Sequence, residues 1–143
     1  MMEYIKKYIV KEEHTDWQGN MEGLYYPYYL EDCRHAYIKE ILCFDFEEEA
    51  RNGISMVLSN YRIQILRSLK GGSNLSVSCT VFRDKSASTL LHFKQMITLR
   101  GKIVTLGLFS STCTPSNGGR SFLPPSLNRL LSRVPLLETL SNF

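Results

Sequence analysis

From Leu75 to Val81 every second residue is apolar: Leu75, Val77, Cys79 and Val81 alternate with Ser76, Ser78 and Thr80. A period of two marks a strand with one buried face, so this chain must build a sheet and also supply something to cover it. Around this strand, expected over Asn74 to Phe82, lie three more strand-length stretches: Ile54 to Arg67, Thr89 to Leu99 and Lys102 to Cys113. The joins Lys70-Gly71-Gly72-Ser73, Arg83 to Ser88 and Arg100-Gly101-Lys102 are short, polar or glycine-bearing. They predict four antiparallel strands linked as hairpins.

The cover comes from upstream. Tyr26, Tyr29, Leu30, Cys33, Tyr37, Ile41 and Phe44 recur at steps of three and four, which predicts one long amphipathic helix from Leu24 to about Phe44. Pro27 fits its first turn, where N–H groups have no intrahelical acceptor. Residues 4–13 carry Tyr4, Ile5, Tyr8, Ile9 and Val10 without a decisive period; ahead of this helix they read as a further strand. Beyond Pro115, Gly118-Gly119 and Pro124-Pro125 mark a loop, and Leu127, Leu130, Leu131 and Val134 a short terminal helix. The expected class is α+β, a long antiparallel sheet wrapped around one central helix, as a single domain over 1–143 with a loop and helical tail over 115–143. One helix cannot cover every apolar strand face. Self-association is therefore expected, as a homodimer or a tetramer of two dimers.

Composition narrows the function. With 143 residues the chain has room for one core, and 43% hydrophobic with 22% charged residues is ordinary for a globular domain. A net charge of +3 without a polybasic tract gives no footing for a nucleic-acid partner. No apolar run is long enough to span a membrane. Cys33, Cys43, Cys79 and Cys113 form no C-x-x-C pair, and His14, His35 and His92 are the only histidines. No metal site is expected, and the thiols read as reduced and mostly buried in a cytoplasmic protein.

Chemistry concentrates in His14-Thr15-Asp16-Trp17-Gln18-Gly19-Asn20-Met21-Glu22-Gly23, which sets a carboxylate, two carboxamides and two glycines just before the helix start. Such residues serve equally to cap the helix, since Asp and Asn satisfy its free N–H donors. Read on through Leu24-Tyr25-Tyr26-Pro27-Tyr28-Tyr29-Leu30-Glu31-Asp32-Cys33-Arg34, the stretch resembles the 4-hydroxybenzoyl-CoA thioesterase-like family of hotdog-fold acyl-CoA thioesterases. That family's pattern is roughly D-x-D-x-x-G-H-V-N-N-x-x-Y followed by Y-F-E-E-A-R. The second Asp falls on Asp16, the Gly on Gly19, the Tyr on Tyr26, and the helix motif on Tyr29 to Arg34. Gly72 before the third strand and Gly119-Arg120 beyond the last strand also match, so the resemblance covers nearly the whole chain. Departures are His14 for the first Asp, Asn20 for the His, Glu22-Gly23 for the Asn pair, and Ser73 for the Asp after Gly72.

The resemblance implies hydrolysis of an acyl-CoA thioester, with no metal or redox cofactor and coenzyme A entering only as part of the substrate. Asp16 would act as nucleophile or general base, and the Gly23 or Leu24 N–H would polarise the carbonyl oxygen, aided by the helix dipole. Gln18 and Asn20 either position water or make loop hydrogen bonds. Tyr25, Tyr26, Tyr28 and Tyr29 form an acyl pocket or part of the core. Arg83, Lys85, Ser88 and Thr89 lie where the resemblance places coenzyme phosphate contacts, with Arg67, Lys70 and Arg120 as further cations; the alternative for all of them is a solvated surface. Glu31 and Arg34 are expected to form an ion pair, and His35 and His92 to be structural. Two rival functions are a thioesterase acting on acyl-carrier protein and a hotdog domain that binds acyl or aromatic ligands without hydrolysing them.

Overall fold

The computed structural model describes residues 4–131 and 136–137. Strand β1 (Tyr4–Ile9) leads through a 3-10 turn (Glu12–His14), a tight loop and a second 3-10 turn (Gly23–Tyr25) into helix α1 (Tyr26–Glu40). Helix α2 (Phe46–Arg51), then β2 (Ile54–Ile65), β3 (Asn74–Asp84), β4 (Leu91–Leu99) and β5 (Lys102–Pro115) follow, with α3 (Pro125–Leu131) and β6 (Leu136–Leu137) beyond. The expected terminal helix is α3; Val134 lies outside the described residues.

The sheet order is β1-β3-β4-β5-β2, every neighbour antiparallel, with β6 parallel to the end of β3. Here one expectation is overturned. The strands β2 and β3 do not form a hairpin across Lys70 to Ser73: β2 pairs with β5 at one edge and β3 pairs with β1 at the other. The physical reason is that Val10 and Gly72 claim the turn. Val10 N–H donates to Ser73 O at 3.0 Å and Gly72 N–H to Val10 O at 2.9 Å, so the turn closes β3 onto the outgoing end of β1.

Helix α1 lies across the inner face of the sheet, its buried stripe Tyr26, Tyr29, Leu30, Cys33, Arg34, Tyr37 and Ile38 meeting Leu75, Val77, Cys79, Val81, Phe93 and Ile97. Pro27 sits in its first turn, as expected. The helix is shorter than its apolar spacing implies, ending at Glu40. Cys43 takes a left-handed φ of 55°, and Asp45 then caps a separate helix by accepting the Glu47 and Glu48 N–H groups at 3.0 and 3.1 Å. At Gly107 the helix comes close to β5: an added Cβ would stand 3.4 Å from Leu30 and 2.8 Å from the Phe109 ring.

Helix α1 covers β1, β3 and β4; on the same side α2 packs against β2, whose Ile54, Met56 and Ile63 are partly buried, and the rest of that strand's helix-side face stays open. Leu58, Tyr61 and Ile65 point to the helix layer yet are 44, 56 and 46% exposed. No described helix is long and apolar enough to cross a membrane, and no described group of three or more His, Cys, Asp or Glu residues is arranged to hold a metal.

Candidate active site

The loop around Asp16 folds back on itself. The Asp16 N–H donates to Asn20 O at 2.7 Å and Gly19 N–H to Asp16 O at 3.0 Å, with Gly19 at φ 82° making the reversal possible. Inside this turn Asp16 Oδ1 accepts the N–H groups of Gln18 at 2.9 Å and Asn20 at 3.0 Å. Its other carboxylate oxygen has no partner among the described residues, and the side chain is half-buried. Gln18 and Asn20 thus act through their backbones. Asp16 does not cap α1; the N–H groups that Oδ1 accepts both belong to its own loop.

Segment Arg67–Gly71 holds this loop and the helix start together. Met21 N–H donates to Leu69 O at 2.7 Å, Asn20 bridges to Lys70, and Gly71 N–H donates to Gly19 O at 3.0 Å. From the helix, the Tyr26 hydroxyl accepts Leu69 N–H at 3.2 Å and donates to Arg67 O at 3.4 Å. Tyr26 is accordingly a buried clamp and core residue, and of the two open readings of the tyrosines the core one holds for Tyr26 and Tyr29. Tyr25 stacks on the buried His14 ring at 4.0 Å, and His14 Nδ1 meets the Tyr29 hydroxyl at 2.9 Å. At the helix start the N–H groups of Gly23 and Leu24 have no acceptor among the described residues and both residues are exposed. They are free donors beside a helix N-terminus.

A cavity of about 430 Å³ opens along the far flank of α1, between Pro27, Glu31, Arg34, His35 and Ile38 of the helix, Phe46, Met56, Leu58 and Tyr61 of α2 and β2, and Phe109 and Ser111 of β5. The expected Glu31–Arg34 pair does not form. Arg34 is 5% exposed, donates to Gln95 Oε1 at 3.0 Å and stacks over Phe109 at 4.0 Å, with no carboxylate partner among the described residues. Glu31 instead faces His35 at 3.5 Å, a weak contact because burial lowers the His35 pKa. Arg34 is the functional candidate that the sequence reading missed. The signal was present, since Arg34 stands four residues after Leu30 and three before Tyr37, within the apolar stripe.

The coenzyme-phosphate candidates lie elsewhere. The strand β3 begins beside the Asp16 loop, with Asn74 opposite Ile9, and runs to Asp84 at the other end of the sheet. Ten steps of about 3.4 Å separate the two ends by roughly 34 Å. Arg83, Lys85, Ser88 and Thr89 sit at that far end, and Arg83 and Lys85 already have interaction partners. Arg67 and Lys70 are exposed at the near end.

The far end also holds a line of groups that resembles hydrolase chemistry: His92 Nδ1 meets Ser110 Oγ at 2.7 Å and His92 Nε2 meets Asp84 Oδ2 at 2.9 Å. Ser110 and His92 are each 2% exposed. An acyl group has no route to that hydroxyl, and the line is a buried structural network.

No family model matches the chain, and no curated protein matches it in sequence. Solved structures match its fold. The 1,4-dihydroxy-2-naphthoyl-CoA thioesterase from Synechocystis superposes with a TM-score of 0.80 at 11% identity, over 92% of this chain and 96% of its own. A DHNA-CoA thioesterase from Staphylococcus aureus gives 0.80 at 19% identity, over 93% and 91%. Another Staphylococcus aureus protein, solved in complex with CoA, gives 0.81 at 14% identity, over 98% and 90%. The chain has the hotdog fold of the two thioesterase structures.

Proposed function

We propose that the protein hydrolyses an acyl-coenzyme A thioester, with Asp16 as the reacting carboxylate. One observation carries this reading: Asp16 Oδ1 is held by two N–H donors while the second oxygen is left unengaged. A carboxylate fixed at one oxygen has its other lone pairs aimed and available, either to attack the thioester carbon or to take a proton from water. In the first route the thiolate of coenzyme A leaves and water then opens the acyl-aspartyl anhydride; in the second, water adds directly. Both end with free acid, coenzyme A and a regenerated carboxylate. The free Gly23 and Leu24 N–H groups would receive the negative charge that develops on the carbonyl oxygen. The cavity beside Pro27 and Arg34 is the natural place for the acyl group, being apolar on one wall and close to the helix start.

Two findings lend support: thioesterases of coenzyme A esters share the fold, and a protein of this fold has been solved with CoA. Four free cysteines suit a reducing, cytoplasmic setting.

Asp16→Asn is the discriminating variant because an Asn side-chain oxygen still accepts both loop N–H groups, so the turn survives while the charge is lost. Turnover of the best acyl-CoA should fall by roughly two orders of magnitude or more, with thermal stability unchanged. A folded Asp16→Asn protein with parental turnover would remove Asp16 from the mechanism.

A further inference from the structure

We propose that Arg34 receives a carboxylate carried at the far end of the acyl group, which makes the preferred substrate a medium-length ω-carboxyacyl thioester; this rests on the thioester reading above.

Arg34 is 5% exposed and yet lines the cavity beside α1. Of the five N–H donors of a guanidinium, one reaches Gln95 Oε1 at 3.0 Å, and the others have no acceptor among the described residues. Those donors are not sealed inside the protein either: among the described residues, the enclosed side-chain atoms without a partner are Thr105 Oγ1 and Thr112 Oγ1. They open on the cavity. The fork is also held in place from two sides. Gln95 is itself anchored, its Nε2 donating to Leu30 O at 2.9 Å, and the Phe109 ring lies against the guanidinium at 4.0 Å, with Tyr61 stacked on Phe109 at 5.6 Å. A fixed planar fork with unused donors suits a carboxylate, which accepts two parallel N–H bonds from it. Burial sharpens the choice, because a cation withdrawn from water stays costly until an anion meets it.

The rest of the cavity sets what links this carboxylate to the thioester. Pro27, Ile38, Met56 and Leu58 give it apolar walls, suited to methylene groups. Glu31, the carboxylate on the helix wall, is more than half exposed and faces His35 at 3.5 Å, so it leaves Arg34 uncompensated. From the free N–H at Leu24 to the stretch between Leu30 and Arg34 is six to ten helical steps, roughly 9–15 Å. A malonyl group is too short for that span, and a medium-chain dicarboxylic acyl group reaches across it.

The test uses the native assembled protein with suberyl-CoA and octanoyl-CoA, which match in chain length and differ in the terminal carboxylate. The parent should favour suberyl-CoA in kcat/KM by roughly ten- to hundred-fold, the scale of charged hydrogen bonds. In Arg34→Met that ratio should collapse, and in Arg34→Lys, which keeps the charge without the fork, it should fall part of the way. A parent that treats the two thioesters alike, or favours octanoyl-CoA, would overturn the proposal. So would an Arg34→Met protein that loses the same factor on both, since Arg34 would then serve the fold and not the acyl end. Should Arg34→Met fail to fold, calorimetry on the parent decides. Suberyl-CoA must bind more tightly than octanoyl-CoA, and malonyl-CoA no more tightly than propionyl-CoA; a malonyl preference would place carboxylate recognition away from Arg34 and overturn the assignment. If the parent hydrolyses no thioester, the hydrolase reading fails alone, and the same binding comparisons still decide the role of Arg34.

Discussion

Arg34 has one neutral acceptor, Gln95 Oε1, and an aromatic face, Phe109, and it is almost wholly withdrawn from water. Desolvation lowers its pKa. A buried charge so thinly compensated costs stability, which ties Gln95 and Arg34 together energetically. Gln95→Leu removes the single acceptor and should destabilise the fold by about 2–3 kcal/mol; adding Arg34→Met should restore most of that, because the orphaned cation is then gone. Urea denaturation of both singles and the double gives the coupling, and simple additivity would show that the two residues do not depend on each other. The same residue marks how far side-chain roles are legible in the sequence. Helical spacing identified Glu31 and Arg34 as neighbours, but the pairing rule applies to exposed faces, and Arg34 belongs to the stripe that faces the sheet. For Asp16 the loop composition pointed to the segment on which the proposed function rests. Its two donors come from backbone N–H groups inside a turn, which residue identity alone does not reveal.

Among the elements, β1 is fastened to α1 by side chains as well as by packing. Tyr4 bonds to Glu40, Tyr8 and Lys6 both bond to Asp32, and Tyr8 stands edge-on to Tyr29 at 5.6 Å. The Tyr8 hydrogen bond, then Lys6, holds the Asp32 carboxyl below its ordinary range. A folded-state value below the unfolded one, about 3.9, means that this clamp stabilises the fold above about pH 4. Its contribution disappears as pH falls through the folded value. The urea midpoint of the parent protein should therefore drop more between pH 6 and pH 3 than that of Asp32→Asn, and equal slopes would show that the clamp is energetically silent. At this scale the strands were legible because their periods are clean, as at Leu75 to Val81. The break between α1 and α2 was not, since Ile41 and Phe44 extend the helical period while Cys43 turns the backbone away. The sign that would have revealed it is Asp45 followed by Glu47, Glu48 and Glu49, an N-cap with an acidic first turn.

For the whole molecule, the decisive fact is the uncovered edge. The strand β2 presents Leu58, Tyr61 and Ile65 on the helix side and has no neighbour beyond it among the described residues. Pairing with a second copy would satisfy its free backbone groups and cover these side chains together. Sedimentation should find a dimer or larger at micromolar concentration, and Leu58→Glu/Ile65→Glu should shift it to monomer; a parent protein that is monomeric would rule this out. That one long helix would leave part of the sheet's apolar face open was readable from the count of apolar strands against helices. Which strand is left open was not, because that depends on β2 crossing to β5, and short glycine turns argue for hairpins between neighbours in sequence.

That crossing also governs how the chain is made. Thr105 follows its β2 partner Ile65 by 40 residues, and Pro115 follows Ile54 by 61. During synthesis, at about 5–20 residues per second, β2 leaves the ribosome seconds before the strand it pairs with exists. Over that interval Val57, Leu58, Tyr61 and Ile65 travel on a nascent chain with nothing to pair against. Expression yield of this protein should accordingly depend on chaperone supply and on elongation speed more than that of a fold built from neighbouring hairpins.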